Sequence, residues 1–215
     1  MNVVPEVLAP PTRAEPLTAP RAGAFRSFAA AVRADHAAVV RGETKYGNMD
    51  PGRSSWLLVD AFRKIGFQMM VVYRWMRLLH ALRLTPLAMI VSRLIRHVYG
   101  AEIHWDADLA PGVALVHGTA LVVSREAVVG AGCILFQSVT LGISIDPVTR
   151  EVGGPTLEED VHVGPGAAIL GPITIGRGTK IMANAVVMTS VPANSVVEVP
   201  AAVIRTRVRG AESST

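Results

Sequence analysis

The chain reads as a mainly β solenoid, a parallel β-helix, and two observations carry that reading. Aliphatic or small residues recur at every sixth position, first as Ile103, Leu109, Leu115, Leu121, Ala127, Cys133 and Val139, then as Leu157, Val163, Ile169, Ile175, Ile181 and Val187, with a miss at Ala193 before Val199. The position four residues further on is also small or β-branched, at Val161, Ala167, Ile173, Thr179, Ala185, Val191 and Val197. Helices show spacings of three and four and alternating strands a spacing of two, so a sixfold beat means a short flat strand, a corner and another strand. Such a coil cannot bury its own apolar edge. It stacks on the next, with backbone hydrogen bonds running from coil to coil and Gly164, Gly176 and Gly178 suiting the corners. A Val/Ile-rich sandwich needs turn signals about every eight to twelve residues, and this sequence does not supply them on that schedule.

The remaining elements follow in order. Residues 1 to about 24 carry Pro5, Pro10, Pro11, Pro16 and Pro20 among Ala and Thr; they lack the continuous apolar core of a secretion signal and read as disordered. Phe25, Phe28, Ala29, Val32, Ala37 and Val40 mark one helix over about 25–41, followed by a Gly-rich break through Gly52. Between Trp56 and Tyr99 the pattern is helical with an interruption at Thr85-Pro86, so two helices lead into the solenoid. The expected organisation is a disordered, partly helical segment (1–50), a helical region (51–100), the β-helix (101–205) and a flexible tail (206–215). Residues 143–155 break the sixfold beat and must leave the solenoid as a loop, a place where function concentrates.

Composition narrows the function classes. In 215 residues with a formal charge of +4, half of them apolar and few aromatic, there is chain enough for one core and thin strands to fill a narrow interior. The basic residues are spread over 53–96 and at Arg205, Arg207 and Arg209 without aromatic interleaving, which argues against a nucleic-acid partner. The lone cysteine, Cys133, falls on a sixfold core position, so it reads as a small buried hydrophobe rather than a catalytic thiol; with no disulfide framework possible, the cytoplasm fits. The histidines are scattered, and no cluster has the spacing of a metal site.

In the helical region Arg74, Arg77, Arg83, Arg93 and Arg96 recur among Leu, Met, Val and Ile, and the longest charge-free run, Leu84 to Ser92, is about half of a bilayer span. Two readings stand: peripheral docking on an anionic lipid surface, or packing against the solenoid or another subunit with the arginine stems at the rim.

Chemistry enters at Leu115-Val116-His117-Gly118-Thr119-Ala120. The reading places His117 inside a coil, where a buried imidazole needs partners for both ring nitrogens. The run from Ile103-His104 through His117, Val139-Thr140-Leu141-Gly142, Val163 to Gly171 and Val191-Pro192-Ala193-Asn194-Ser195 resembles the serine acetyltransferase family in order and spacing, over roughly residues 70 to 205. The resemblance implies a left-handed parallel β-helix of hexapeptide repeats preceded by a short α-helical region. It also implies an acetyl-CoA-dependent O-acetyltransferase, with acetyl-CoA as co-substrate and no metal.

By the same resemblance His117 is the catalytic base and Glu102, fifteen positions earlier, is the carboxylate that orients it, a Glu where the family's typical members carry Asp. The matching CoA contacts are Gly142, Pro165, Lys180 and Ala183, and a backbone N–H of the loop beginning at Gly142 faces the tetrahedral oxyanion. The family's excursion loop ends Asp-Arg-His-Pro; here it ends Val152-Gly153-Gly154-Pro155, and the family's Asp before the catalytic histidine is Val116. Charged groups that would read an amino-acid acceptor are gone, which leaves the acceptor open between L-serine, giving O-acetylserine for cysteine biosynthesis, and a sugar hydroxyl. The altered loop and Glu102 resemble a capsule and exopolysaccharide branch of the family. Arg150 and Glu151 are candidate acceptor contacts, and His162 reads as a solvent or intersubunit position. The resemblance further implies a homotrimer. The terminal Glu212-Ser213-Ser214-Thr215 lacks the isoleucine through which the family engages cysteine synthase, so that complex is not expected. A non-catalytic solenoid scaffold is the alternative from another class.

Overall fold

The computed structural model describes residues 21–45 and 56–200, with the side chains of 21–24 and 42–45 excepted. The expected break through Gly52 and the tail at 206–215 lie outside the described residues, as does the disordered reading for 1–20. The helix expected from about 25 begins earlier: α1 spans Arg21–Lys45, so 21–24 are helical. Three helices, not two, then lead to the solenoid: α2 (Leu57–Arg63), α3 (Ile65–Ala81) and α4 (Thr85–Tyr99). The additional break falls at Lys64, whose backbone is extended at φ −106°. It leaves no sequence signal, because apolar residues continue through it. Pro86 sits in the first turn of α4, where its missing N–H costs nothing.

From Glu102 the chain winds as a left-handed parallel β-helix. The first coil holds β1 (Glu102–Ile103), β2 (Asp108–Leu109) and β3 (Ala114–Leu115); the second holds β4 (Val122–Val123), β5 (Val128–Val129) and β6 (Ile134–Leu135). The third opens with β7 (Thr140–Gly142), detours through the hairpin β8 (Ser144–Ile145) and β9 (Val152–Gly153), and resumes with β10 (Thr156–Leu157) and β11 (His162–Val163). Then come β12 (Ala168–Leu170), β13 (Thr174–Ile175) and β14 (Lys180–Ile181), and finally β15 (Val186–Val187) and β16 (Val196–Val197). The first sheet is β1-β4-β7-β12-β15, the second β2-β5-β10-β13 and the third β3-β6-β11-β14-β16. The loop expected at 143–155 is the antiparallel β8–β9 hairpin.

Register shows how the sixfold beat works and where it conceals an insertion. Val122 stacks on Thr140 and Thr156 on Thr174, both 18 residues apart, but Glu102 stacks on Val122, 20 residues on. Two extra residues sit in the corner between β3 and β4. They escape notice because each side of the coil has two inward positions two residues apart: Ile103, Leu109 and Leu115 occupy the strand position, whereas Leu121, Ala127, Cys133 and Val139 occupy the corner position. An insertion of two exchanges the lanes without breaking the beat. All of these side chains are buried. Thr179, also in the corner lane, is satisfied there by donating to the Pro192 carbonyl at 3.0 Å.

A solenoid end exposes unpaired backbone, and here the helices cover it. Tyr73 of α3 donates to the Ala107 carbonyl at 2.7 Å and accepts from the Leu109 N–H at 3.2 Å. Arg74 donates to the Leu109 and Ala110 carbonyls at 2.7 and 2.9 Å while its other N–H groups hold Asp35 of α1 at 2.8 and 3.0 Å. Asp35 in turn accepts the Gly112 N–H at 2.8 Å. For Arg74, and for Arg77 on the Ala107 carbonyl, the packing reading of the helical region holds.

Candidate active site

The inserted corner carries His117. His117, Gly118 and Ala120 all take left-handed backbone, at φ +63°, +67° and +56°. For His117 and Ala120 such strain persists only where surrounding structure enforces it, and it concentrates at functional sites. The enforcing structure is the first turn of α3. A Cβ on Gly66 would lie 2.7 Å from the Leu115 carbonyl carbon, and one on Gly118 3.5 Å from Gly66 itself, so helix and corner are in direct backbone contact. Contrary to the expected burial, this geometry turns His117 outward, and its side chain is exposed. Among the described residues the imidazole has no hydrogen-bond or ion-pair partner, leaving a ring nitrogen available to a hydroxyl brought from solvent.

Glu102 opens the coil that His117 closes: its N–H donates to the Leu121 carbonyl at 2.7 Å. Its carboxylate, however, meets Nη2 of Arg96 at 2.6 Å rather than the imidazole. The left-handed cap at Gly100 ends α4 directly before β1 and brings the last-turn Arg96 over the strand, a partner that spacing within the solenoid could not reveal. Nearby, His104 stacks on Trp105 with ring centroids 4.2 Å apart, and its Nδ1 accepts the Asp106 N–H at 3.1 Å. Burial holds the His104 pKa below the usual histidine value.

The corner that follows the third sheet recurs in every coil and forms one edge of the prism. His117 lies on it, then Gln137, then Pro165, which accepts the Asn184 N–H at 2.9 Å, then Ala183. Lys180 stands on the adjoining third sheet with its side chain exposed. Gln137 escaped the sequence reading. It sits one coil above His117, and its Oε1 is buried without a partner among the described residues. Its only signal is the coil register, invisible until the two-residue insertion is known.

Gly142, Arg150 and Glu151 lie elsewhere. Gly142 ends β7 at the opposite side of the first sheet, about 10 Å of strand away from the His117 edge, with its carbonyl accepting the Gly171 N–H at 3.1 Å. Arg150 and Glu151 are exposed on the hairpin tip. There Asp146 accepts the Val148 and Thr149 N–H groups at 2.8 and 2.7 Å, bonds that hold its carboxyl below the usual range. The structure thus divides the sequence-derived residues between two edges of one protomer.

The positions that depart from the family pattern are closely packed. Val116 joins Ala38, Val39, Ala114, Ile134 and Phe136 in an apolar cluster beneath α1. A Cβ at Gly153 would fall 2.9 Å from Pro172 Cβ, and one at Gly154 2.8 Å from the Glu126 carbonyl carbon. This backbone has no room for the missing side chains. His162 points outward from β11 and is half-buried.

A cavity of about 160 Å³ lies between α1, α3 and the first coil, lined by Phe28, Arg74, Arg77, Leu78, Asp108 and Leu109. It includes neither His117 nor the hairpin and is too small for a CoA-sized ligand. Among the described residues, no group of His, Cys, Asp and Glu is placed to hold a metal ion, and no helix is long and apolar enough to cross a membrane.

Comparison with known proteins agrees with this architecture. Residues 154–189 match the family model for the bacterial transferase hexapeptide of six repeats. The chain is 40% identical over 143 residues to a serine acetyltransferase of Synechococcus elongatus, covering 65% of this chain and 57% of that protein. It is 35% identical over 150 residues to one from Helicobacter pylori, covering 68% of this chain and 84% of the relative. Among solved structures, Neisseria gonorrhoeae serine acetyltransferase in complex with serine superposes with a TM-score of 0.70 at 29% identity, covering 84% of this chain and 70% of that one. The cysteine complex of Entamoeba histolytica serine acetyltransferase isoform 3 gives 0.72 at 26% identity, covering 88% and 64%. The match therefore spans little more than half of the cyanobacterial relative but most of the shorter bacterial one, and on that basis the chain belongs to the serine acetyltransferase family.

Proposed function

We propose that this protein transfers the acetyl group of acetyl-CoA to the hydroxyl of L-serine, giving O-acetylserine and free CoA. The observation that carries the reading is His117: exposed, unpartnered among the described residues, and on the same solenoid edge as Pro165 and Ala183, which match CoA contacts of the family. The imidazole takes the serine hydroxyl proton as the oxygen attacks the thioester carbonyl. The tetrahedral intermediate collapses with breakage of the C–S bond, and the imidazolium returns its proton to the departing thiolate. No covalent enzyme intermediate is required. Glu102 is the residue to orient the ring, and this role requires its carboxylate to leave Arg96.

Because Gly142 and the hairpin lie on a different edge from His117, one protomer does not surround an acceptor. A homotrimer, in which one protomer's His117 edge faces its neighbour's hairpin, brings both halves together and supplies rate through orientation. Acetyl-CoA as donor supports a cytoplasmic location.

A second acceptor class, a neutral saccharide hydroxyl, is favoured by one observation: Gly153 and Gly154 stand where the family carries charged side chains, and a Cβ there would lie 2.9 Å from Pro172 Cβ or 2.8 Å from the Glu126 carbonyl carbon, respectively. Free CoA release from acetyl-CoA with L-serine, with the ester identified by mass spectrometry, separates the two. Serine-dependent release well above the His117→Ala background supports the primary reading. Release with saccharides alone moves the assignment to the second. If acetyl-CoA fails to raise the melting temperature, the solenoid is a scaffold, because any ligand of the native state must stabilise it.

A further inference from the structure

The arginines of the helical region fall into two sets. Arg74 and Arg77 turn inward onto the solenoid end, as described above. Arg63, Arg83 and Arg93 stay exposed and border an unusual surface, while Arg96, also exposed, is held by Glu102 at 2.6 Å. On α4, Leu87, Ile90, Leu94 and Val98 follow spacings of three and four and form one stripe, with Ile90 and Leu94 exposed to 62% and 61%. Ala88 and Ile95, about 100° round that helix from the stripe, are buried in the core. On α2, Leu58 and Phe62 are exposed to 71% and 83%, and Trp56 precedes them, also exposed. Gln68 of α3 ties the two helices to one another, donating to the Phe62 carbonyl at 2.7 Å and accepting from the Tyr99 hydroxyl at 2.8 Å.

Charge decides what such a face fits. The only carboxylate between residues 56 and 100 is Asp60. It is buried, and it is held by His36 at 2.8 Å and Lys64 at 3.1 Å. The exposed surface that this segment itself contributes is therefore apolar and cationic; the acid that reaches its rim, Glu102, is taken up by Arg96. In a two-fold contact a second copy presenting the same face would set Arg63, Arg83 and Arg93 against one another. An anionic bilayer surface supplies phosphates to the arginines and an acyl boundary to the stripe, and Trp56 has the amphipathic ring that favours that boundary.

We propose that the α2–α4 face docks this protein peripherally on an anionic phospholipid surface. The helices lie in the interface and do not cross it, and the inference is independent of the acyl acceptor.

The test is co-sedimentation of the full chain with phosphatidylcholine vesicles and with phosphatidylcholine–phosphatidylglycerol vesicles. The wild type should pellet with the anionic vesicles, release with added salt, and stay in solution with phosphatidylcholine alone. Ile90→Glu/Leu94→Glu and, separately, Arg83→Glu/Arg93→Glu should each lower anionic-vesicle binding at least tenfold, with far-UV circular dichroism and acetyl transfer unchanged. The arginine pair does not touch the core, so it keeps the test sound if the apolar pair fails to fold. Equal partition with both vesicle types, or no pelleting with either, overturns the proposal. So does light scattering in which the same substitutions dissociate an oligomer while vesicle binding stays absent, because a second copy then covers the face.

Discussion

Replacing Arg74 with Met should be among the most damaging single changes away from the candidate site. The side chain is only 7% exposed and makes four hydrogen bonds, two to Asp35 and two to carbonyls of the first coil. Methionine fills similar volume but leaves Asp35, at 0% exposure, with only the Gly112 N–H among the described residues. Breaking a buried ion pair from one side costs about 3–5 kcal/mol. Replacing both partners, as Asp35→Leu/Arg74→Met, leaves the Leu109 and Ala110 carbonyls and the Gly112 N–H without these partners, about 1–3 kcal/mol for each that stays buried, but the single variant strands the same two carbonyls together with a buried charge. The double variant should therefore be no worse than the single one, with a coupling of about 2 kcal/mol or more. Urea unfolding at matched protomer concentration, followed by the fluorescence of Trp75 and Trp105 at this junction, measures both quantities. With a urea dependence of about 2 kcal/mol per M, the single variant should lose roughly 2 M in midpoint. A loss below about 1 kcal/mol, or strictly additive effects, would refute the capping role assigned to this network.

Three further outcomes follow from the same geometry. Gly66→Ala has no space against the Leu115 carbonyl, so α3 must lift from the His117 corner; a loss of about 1–3 kcal/mol and a fall in kcat larger than any rise in KM are expected. Burial pushes the Cys133 thiol up to about 12, and the thiol donates to the Glu158 carbonyl at 3.0 Å, so an alkylating reagent at mildly alkaline pH should label it only as fast as the protein unfolds. Burial raises the Asp60 pKa, but the hydrogen bonds and charges of His36 and Lys64 outweigh it and hold the carboxyl below its usual range. Its contribution is complete above an unfolded value of about 3.9 and is lost as pH falls through the lower folded value. The stability of Asp60→Asn, read as the urea midpoint at each pH, should accordingly depend less on pH in that window than the wild type's.

The solenoid was legible because stacking coils impose a period that no other element shares, and every residue of the first sixfold series is buried. The same regularity hid the inserted corner, since the two inward lanes differ by the length of the insertion. The hairpin was readable as a break in the beat. Lys64 could not be found, because an extended residue between two apolar helices changes neither composition nor spacing. Position decided the rest. His117 was identifiable by resemblance, but its outward orientation follows from the left-handed corner, and the Arg96 partner of Glu102 follows from where α4 ends. Both are properties of chain path rather than of local sequence.

The most direct test of the central claim is the acetyl-transfer rate of His117→Ala with acetyl-CoA and L-serine, taken on protein whose melting temperature matches the wild type. Loss of a positioned general base predicts a kcat lower by about a hundred- to ten-thousand-fold, with acetyl-CoA binding retained. A kcat within about twofold of the wild type would mean that the proton leaves the acceptor by another route, and His117 would not be the base.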